Sequence, residues 1–336
     1  MKLLIERNKN NPIVTGGKEK YRKVGTFNPG VIYDNGKFFM IDRGIQSIRP
    51  LICTFSLLES EDGVHFSLTD GNPIFSAQKD LGCELGTVED PRIVKIENTF
   101  YMTFAHRPYT YDCHPNGLGV PEYRPLKGEL DKGINHTLSG FAVSDDLRHF
   151  EIVSMLNAQG DIDERDVILF PERINGKFAV LRRPRDQHGE EYGTSGPSIW
   201  ISYSDDLKSF TDPELVAGPL NDWEGEKIGS GAPPLKTKEG WLLLYHGVDK
   251  DSVYKVGAML LDLNDPRKVL YRTKNPIMVP EYYYEKFGLI IPNVIFPTAC
   301  LEKDGLLYIY YGCCDTSISL ATVKLDNILK YLKLGD

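Results

Sequence analysis

What this 336-residue chain lacks removes several classes of function. It has no apolar run long enough to cross a bilayer, which argues against a membrane partner. Its opening stretch, Met1-Lys2-Leu3-Leu4-Ile5-Glu6, contains no apolar export core, so a cytoplasmic location is expected. The six cysteines (Cys53, Cys83, Cys113, Cys300, Cys313 and Cys314) never fall in Cys-x-x-Cys spacing, so free thiols in a reducing compartment are expected. The seven histidines are scattered and no two have ligand spacing, so there is no case for a metal site. The formal net charge is −8 and no basic run is interleaved with aromatics, which argues against nucleic acid as a partner. Linkers and low-complexity segments are also missing.

What is present is a repeat. Five times a proline-led, strand-like phrase passes through a small polar turn into an apolar, aromatic strand. The copies begin at Asn28-Pro29-Gly30, Asp90-Pro91-Arg92, Phe170-Pro171-Glu172, Pro233-Pro234-Leu235 and Phe296-Pro297-Thr298. Their turns, at positions 36, 99, 176, 240 and 305, are spaced by 63, 77, 64 and 65 residues. A near-constant period of this size built from short strands predicts an all-β fold, a five-bladed β-propeller with a central axial active site. Five such units nearly exhaust the chain, so residues 1–336 are expected to form one domain.

A second repeat supports four strands per blade. Ser60-Glu61-Asp62-Gly63-Val64-His65-Phe66, Ser144-Asp145-Asp146-Leu147-Arg148-His149-Phe150 and Ser204-Asp205-Asp206-Leu207-Lys208-Ser209-Phe210 share one pattern, in which an acidic turn returns the chain to an outer strand. Degenerate copies occur near Asp262 and Asp326. These turns belong to the rim and read as structural. Extra length between residues 107 and 138, rich in proline and glycine, reads as an inserted loop, either covering the mouth of the channel or lying on the surface. The Tyr282-Tyr283-Tyr284 run precedes the fifth blade and is a candidate edge of the funnel. Leu325 to Leu334 reads either as a short helix or as a closing strand.

In a propeller the residues at the start of each innermost strand face the axis. Here these are Asn28, Glu89-Asp90, Arg165-Asp166, Lys227 and Asn293. The hairpin partners return toward the same face with Arg43, His106, Arg182, Arg183, His246 and Asp315. This gathers few carboxylates and many cations, a set suited to an anionic ligand, because guanidinium forks and ammonium groups bind phosphate oxygens. Each residue also has a plain structural role open to it. Asp90 suits the opening of a turn, Arg43 and Arg183 suit strand ends in solvent, and His246 suits a satisfied core position. Arg165 and Asp166 suit a local ion pair. The recurrence of these residues at comparable points in five blades is what raises them above background.

The motifs that carry these residues resemble glycoside hydrolase family 130, the inverting β-mannoside phosphorylases, over essentially the whole chain. They are Phe27-Asn28-Pro29-Gly30, Val88-Glu89-Asp90-Pro91-Arg92, Arg165-Asp166, Leu181-Arg182-Arg183-Pro184, Lys227-Ile228-Gly229-Ser230-Gly231, Tyr245-His246-Gly247 and Tyr311-Gly312-Cys313-Cys314-Asp315. The resemblance implies a five-bladed propeller in which Asp90 is the general acid. Asn28, Arg43 and Asp315 would hold the mannosyl unit, with His106 grouped on the substrate side. Arg165, Arg183, Lys227, His246 and Tyr254 would bind phosphate, with Arg182 beside them. The family commonly has histidine where Arg182 stands, so the geometry at that point is expected to differ. The partners implied are a β-mannoside saccharide and inorganic phosphate, the latter as co-substrate, with no cofactor. A homo-oligomer is allowed.

An inverting hydrolase needs an acid and a base, whereas a phosphorylase needs the acid and a cationic cradle, because phosphate is already a charged nucleophile. The axial inventory fits the second description. Two rival readings remain open. One is a β-mannosidase or an arabinan- or fructan-cleaving propeller, for which Glu89, Asp166 and Asp315 are carboxylates on hand. The other is a lectin-like propeller, which would carry near-equivalent sites in every blade.

Overall fold

A computed structural model describes residues 3–48, 50–108, 137–156 and 162–335. Most of the predicted insertion, residues 109–136, lies outside the described residues.

The repeat forms five antiparallel sheets arranged as a propeller. The innermost strands of blades one to five are Gly25–Asp34, Thr87–Ile96, Glu164–Leu169, Lys227–Ser230 and Ile295–Lys303. Each is followed outward by a hairpin partner: Lys37–Ile48, Thr99–Arg107, Phe178–Pro184, Trp241–Val248 and Leu306–Cys313. The hairpin turns follow their sequence. Asn35-Gly36, Asn175-Gly176 and Asp304-Gly305 all take positive φ, which matches strand twist in two-residue turns and which Gly, Asn and Asp tolerate best.

Blades stack face to face, so both sides of a strand are buried and the apolar pattern is nearly continuous. In Phe178–Pro184, Phe178 and Val180 pack toward blade two with Val94 and Phe141. Ala179 and Leu181 pack toward blade four with Trp241 and Leu243. Comparable clusters join blades one and two, four and five, and five and one, so the ring has an apolar seam at every junction. Each fully buried large apolar side chain in these seams contributes roughly 1.5–3 kcal/mol.

The last blade is closed by the strand Glu6–Arg7, which pairs antiparallel with Ser317–Lys324. Leu325–Leu334 is a helix that buries Ile328, Leu329 and Leu332 against blades four and five, which decides between its two expected roles. The rim turns are local structures, as expected. Asp146 Oδ1 accepts from the backbone N–H groups of Arg148 (2.8 Å) and His149 (2.9 Å), and Asp62 repeats the arrangement with Val64 and His65. Among the described residues no helix is long and apolar enough to cross a membrane.

Candidate active site

Three innermost strands share one local device. Asn28, Asp90 and Asp166 have φ of 45°, 52° and 51°, and each sits within a β-bulge at the start of its strand. Asn and Asp enter the left-handed region at low cost, and a bulge re-aims a side chain away from the pleat. The device brings Asn28 and Asp90 together. Asp90 Oδ1 accepts from Asn28 Nδ2 and from Arg43 Nη1, both at 2.8 Å.

Around Asp90 charges balance. Arg43 stacks over the Phe27 ring at 4.3 Å and offers its other arm, Nη2, to Glu89 Oε1 at 3.1 Å. Arg107 Nε lies 3.4 Å from the same oxygen. Asp315, on the turn ending the fifth blade's second strand, accepts from the Ile291 N–H at 3.2 Å. Burial, with Asp90 nearby, pushes the Asp315 carboxyl up to about 6 against the pull of Arg43. His106 is buried with Nδ1 2.9 Å from the Thr87 carbonyl, and burial lowers its proton affinity. It lies beside this group and makes no hydrogen bond to Asp90.

Across the well the balance is different. Asp166 accepts from Arg183 Nε at 2.6 Å, with Arg92 Nη2 at 3.6 Å and His246 Nε2 at 3.7 Å. Burial opposes its ionisation, yet the charges of Arg183 and Arg92 hold its carboxyl well below the usual range. Gly229 belongs to this contact, since a Cβ there would lie 2.2 Å from Asp166 Oδ2 and 2.4 Å from His246 Cε1. Lys227 has no carboxylate partner among the described residues, and its ammonium lies 5.1 Å over the Tyr254 ring. Burial, with Arg183 and Arg165 nearby, lowers it to about 7. Arg165 spends Nε and one Nη on Asp163, at 2.8 and 2.9 Å. The His246 ring stacks on Tyr254 and packs on Phe296, with both nitrogens buried and without hydrogen bonds. Burial takes that imidazole down to about 3, so it is neutral at physiological pH. Burial likewise pushes the Tyr254 hydroxyl up to about 12, keeping it a donor.

Arg165, Arg183, Lys227, His246 and Tyr254 are therefore gathered on one side, and Asn28, Arg43, Asp90 and Asp315 on the other. Arg182 is not brought to them. It is buried on Glu164, at 3.1 and 2.5 Å, and reaches Ser202. Strand alternation explains this: Arg182 shares the face of Phe178 and Val180, while Arg183 shares that of Ala179 and Leu181. The Tyr282–Tyr284 run stands on the turn of helix Tyr283–Lys286, with Tyr282 and Tyr284 stacked on each other. Sequence reasoning missed Arg92 as an axial residue. It spans the centre, donating to the carbonyls of Asp90 (3.0 Å) and Gly231 (3.3 Å).

The model of glycoside hydrolase family 130, described as beta-1,4-mannooligosaccharide phosphorylase, matches residues 6–334. The chain belongs to glycoside hydrolase family 130. Within this family of β-mannoside phosphorylases it is 36% identical over 335 residues to a 1,2-beta-oligomannan phosphorylase of Thermoanaerobacter sp. (strain X514), covering 96% of this chain and 98% of that one. It is 33% identical over 282 residues to a beta-1,4-mannooligosaccharide phosphorylase of Ruminococcus albus, covering 82% of this chain and 74% of the other. Among solved structures, the beta-1,2-mannobiose phosphorylase of Listeria innocua in complex with beta-1,2-mannobiose superposes with a TM-score of 0.74 at 27% identity, covering 98% and 99% of the two chains. This family 130 chain thus matches relatives whose names cover both linkages, those named for β-1,2-linked substrates over nearly their whole length.

Proposed function

We propose that this chain phosphorolyses β-linked mannosides with inversion, releasing α-mannose 1-phosphate and a shortened saccharide or free acceptor. The observation that carries the reading is the set of cations facing Asp90. The terminal nitrogens of Arg183 and the Lys227 ammonium have no carboxylate of their own among the described residues beyond the single Arg183–Asp166 contact. An inverting hydrolase would instead place an unencumbered carboxylate there to activate water. Glu89 and Asp166 are both bound up in ion pairs.

In this reading Arg165, Arg183, Lys227, neutral His246 and Tyr254 hold phosphate by charge and by N–H and O–H donation. A phosphate oxygen attacks the anomeric carbon as the bond to the departing oxygen breaks. Asp90, held by Asn28 and Arg43, gives its proton to that oxygen, either directly or through a sugar hydroxyl. The hydrogen of the attacking hydrogen phosphate replaces it through solvent, so Asp90 ends as it began. Asn28, Arg43 and Asp315 fix the mannosyl unit.

The test is incubation of β-1,2- and β-1,4-mannobiose with and without inorganic phosphate, followed by product analysis. Mannose 1-phosphate formed only when phosphate is present supports the reading, and the linkage consumed assigns specificity. Release of free mannose at equal rate without phosphate would refute it.

A further inference from the structure

Two residues outside every motif considered so far extend the cationic side. Asp163 precedes the inner strand of blade three and Arg185 follows its hairpin partner, so they close the same end of the sheet. Their backbones meet there, the Arg185 N–H donating to the Asp163 carbonyl at 2.9 Å. The Asp163 carboxylate is buried and is shared. It accepts from Arg165 Nε at 2.8 Å and Nη2 at 2.9 Å, and Arg185 Nη1 lies 3.6 Å away. Burial opposes its ionisation, but the hydrogen bonds from Arg165 and the charges of Arg107 and Arg185 outweigh that.

Residue 185 stands in the turn just past the strand end, where its guanidinium reaches the same Asp163 carboxylate that Arg165 holds. The Lys227 ammonium accordingly feels the Arg185 charge along with those of Arg183 and Arg165. Arg185 keeps a side chain 42% exposed, whereas Arg183 is 7% exposed. It therefore stands on the solvent side of the cluster, with most of its donors uncommitted among the described residues. A plain surface pair would need no common carboxylate. Here one buried anion holds an inner and an outer guanidinium whose charges both act on the same lysine.

Resting on the phosphorylase reading, we propose that Asp163 is a positioning residue of the phosphate pocket and that Arg185 is a further anion-contacting residue at its entrance. Planar guanidinium forks held in this way capture tetrahedral oxyanions, and a cation at the mouth raises the local anion concentration.

The test is steady-state phosphorolysis of mannobiose by the full chain, with inorganic phosphate as the varied substrate and ionic strength as a second axis. Arg185→Ala should raise the phosphate KM about 3–10-fold, with kcat and saccharide KM nearly unchanged, as for one partly solvated charge contact. The loss should shrink at high salt, and Arg185→Lys should recover most of it. Asp163→Asn should raise the phosphate KM by roughly 10-fold or more, since it releases both guanidiniums. A phosphate KM unchanged in Arg185→Ala, with wild-type turnover still phosphate-dependent, overturns the role of Arg185. Equal rises in both KM values for Asp163→Asn overturn the positioning role. Wild-type turnover that needs no phosphate overturns the phosphorylase reading and this inference together.

Discussion

The two sides of the axial well are built from the same kinds of residue in different proportion. On the side of blades one, two and five, the carboxylates Glu89, Asp90 and Asp315 meet the guanidiniums Arg43, Arg107 and the centre-spanning Arg92. On the side of blades three and four, Asp163 and Asp166 are left to face Arg165, Arg183, Arg185 and Lys227. Elsewhere in the fold, buried charges come in matched sets: Arg22 with Asp42, Arg182 with Glu164, Arg272 with Glu224, and Arg7 with Glu285. Leaving a buried charge without a counter-ion is costly, so matched pairs are the rule where only folding is at stake. A surplus of one sign in one place is what an ionic substrate requires. The balanced side suits a neutral sugar.

The comparison breaks most sharply at Asp90. Asp90→Asn keeps both hydrogen-bonding neighbours and should lower kcat by about 10²–10⁴-fold, the usual worth of a general acid, with an unchanged melting curve. Retention of appreciable turnover would move the acid elsewhere. Next in size are Lys227→Ala and Arg183→Ala, which should raise the phosphate KM by about 10–100-fold while shifting the saccharide KM little, on the scale of one charged hydrogen bond. Equal effects on both substrates would dissolve the division into two sides.

Lys227 also predicts a proton signature. In the folded chain it releases its proton near 7, against 10.5 when exposed, so the unfolded chain binds more protons between those values. Stability should therefore rise with pH across that window. Bound phosphate favours the charged ammonium, so at about pH 8 binding should take up a proton at Lys227. Calorimetry in buffers of differing ionisation enthalpy reads that uptake, and its persistence in Lys227→Met would assign it to another group. Gly229→Ala, whose Cβ would lie 2.2 Å from Asp166 Oδ2, should cost about 1–3 kcal/mol and raise the phosphate KM. The smallest effect belongs to the rim. Asp146→Ala removes a turn that accepts two backbone N–H groups, and should cost about 1 kcal/mol with no change in either KM.

The sequence exposed the blades because their period is local. Glycine and asparagine turns and nearly continuous apolar strands recur within each unit, and the inner strands could be aligned by the proline of each copy. Asn28 and Asp90 were readable for that reason. Arg182 was misread because adjacent residues were grouped as one signal, although alternation sends them to opposite faces. Arg185, in the turn just past Pro184, had neither strand parity nor a motif to draw attention to it. The Arg92 contacts to Gly231 and Asp166 join different stretches of chain across the axis. Such contacts depend on the ring being closed, and no local pattern encodes them. Tyr254 entered only through family resemblance.

The short ribbon Glu6–Arg7 has a consequence for assembly. Its partner, Ser317–Lys324, emerges some three hundred residues later, and the seam it zips lies between the blades that carry Asp315 and Asn28. A nascent chain halted before residue 317 would hold Asn28 and Asp90 yet lack the strand on which this ribbon closes. The well is thereby walled in only once two segments some three hundred residues apart have met, so its shape is a property of the whole ring and of no single blade.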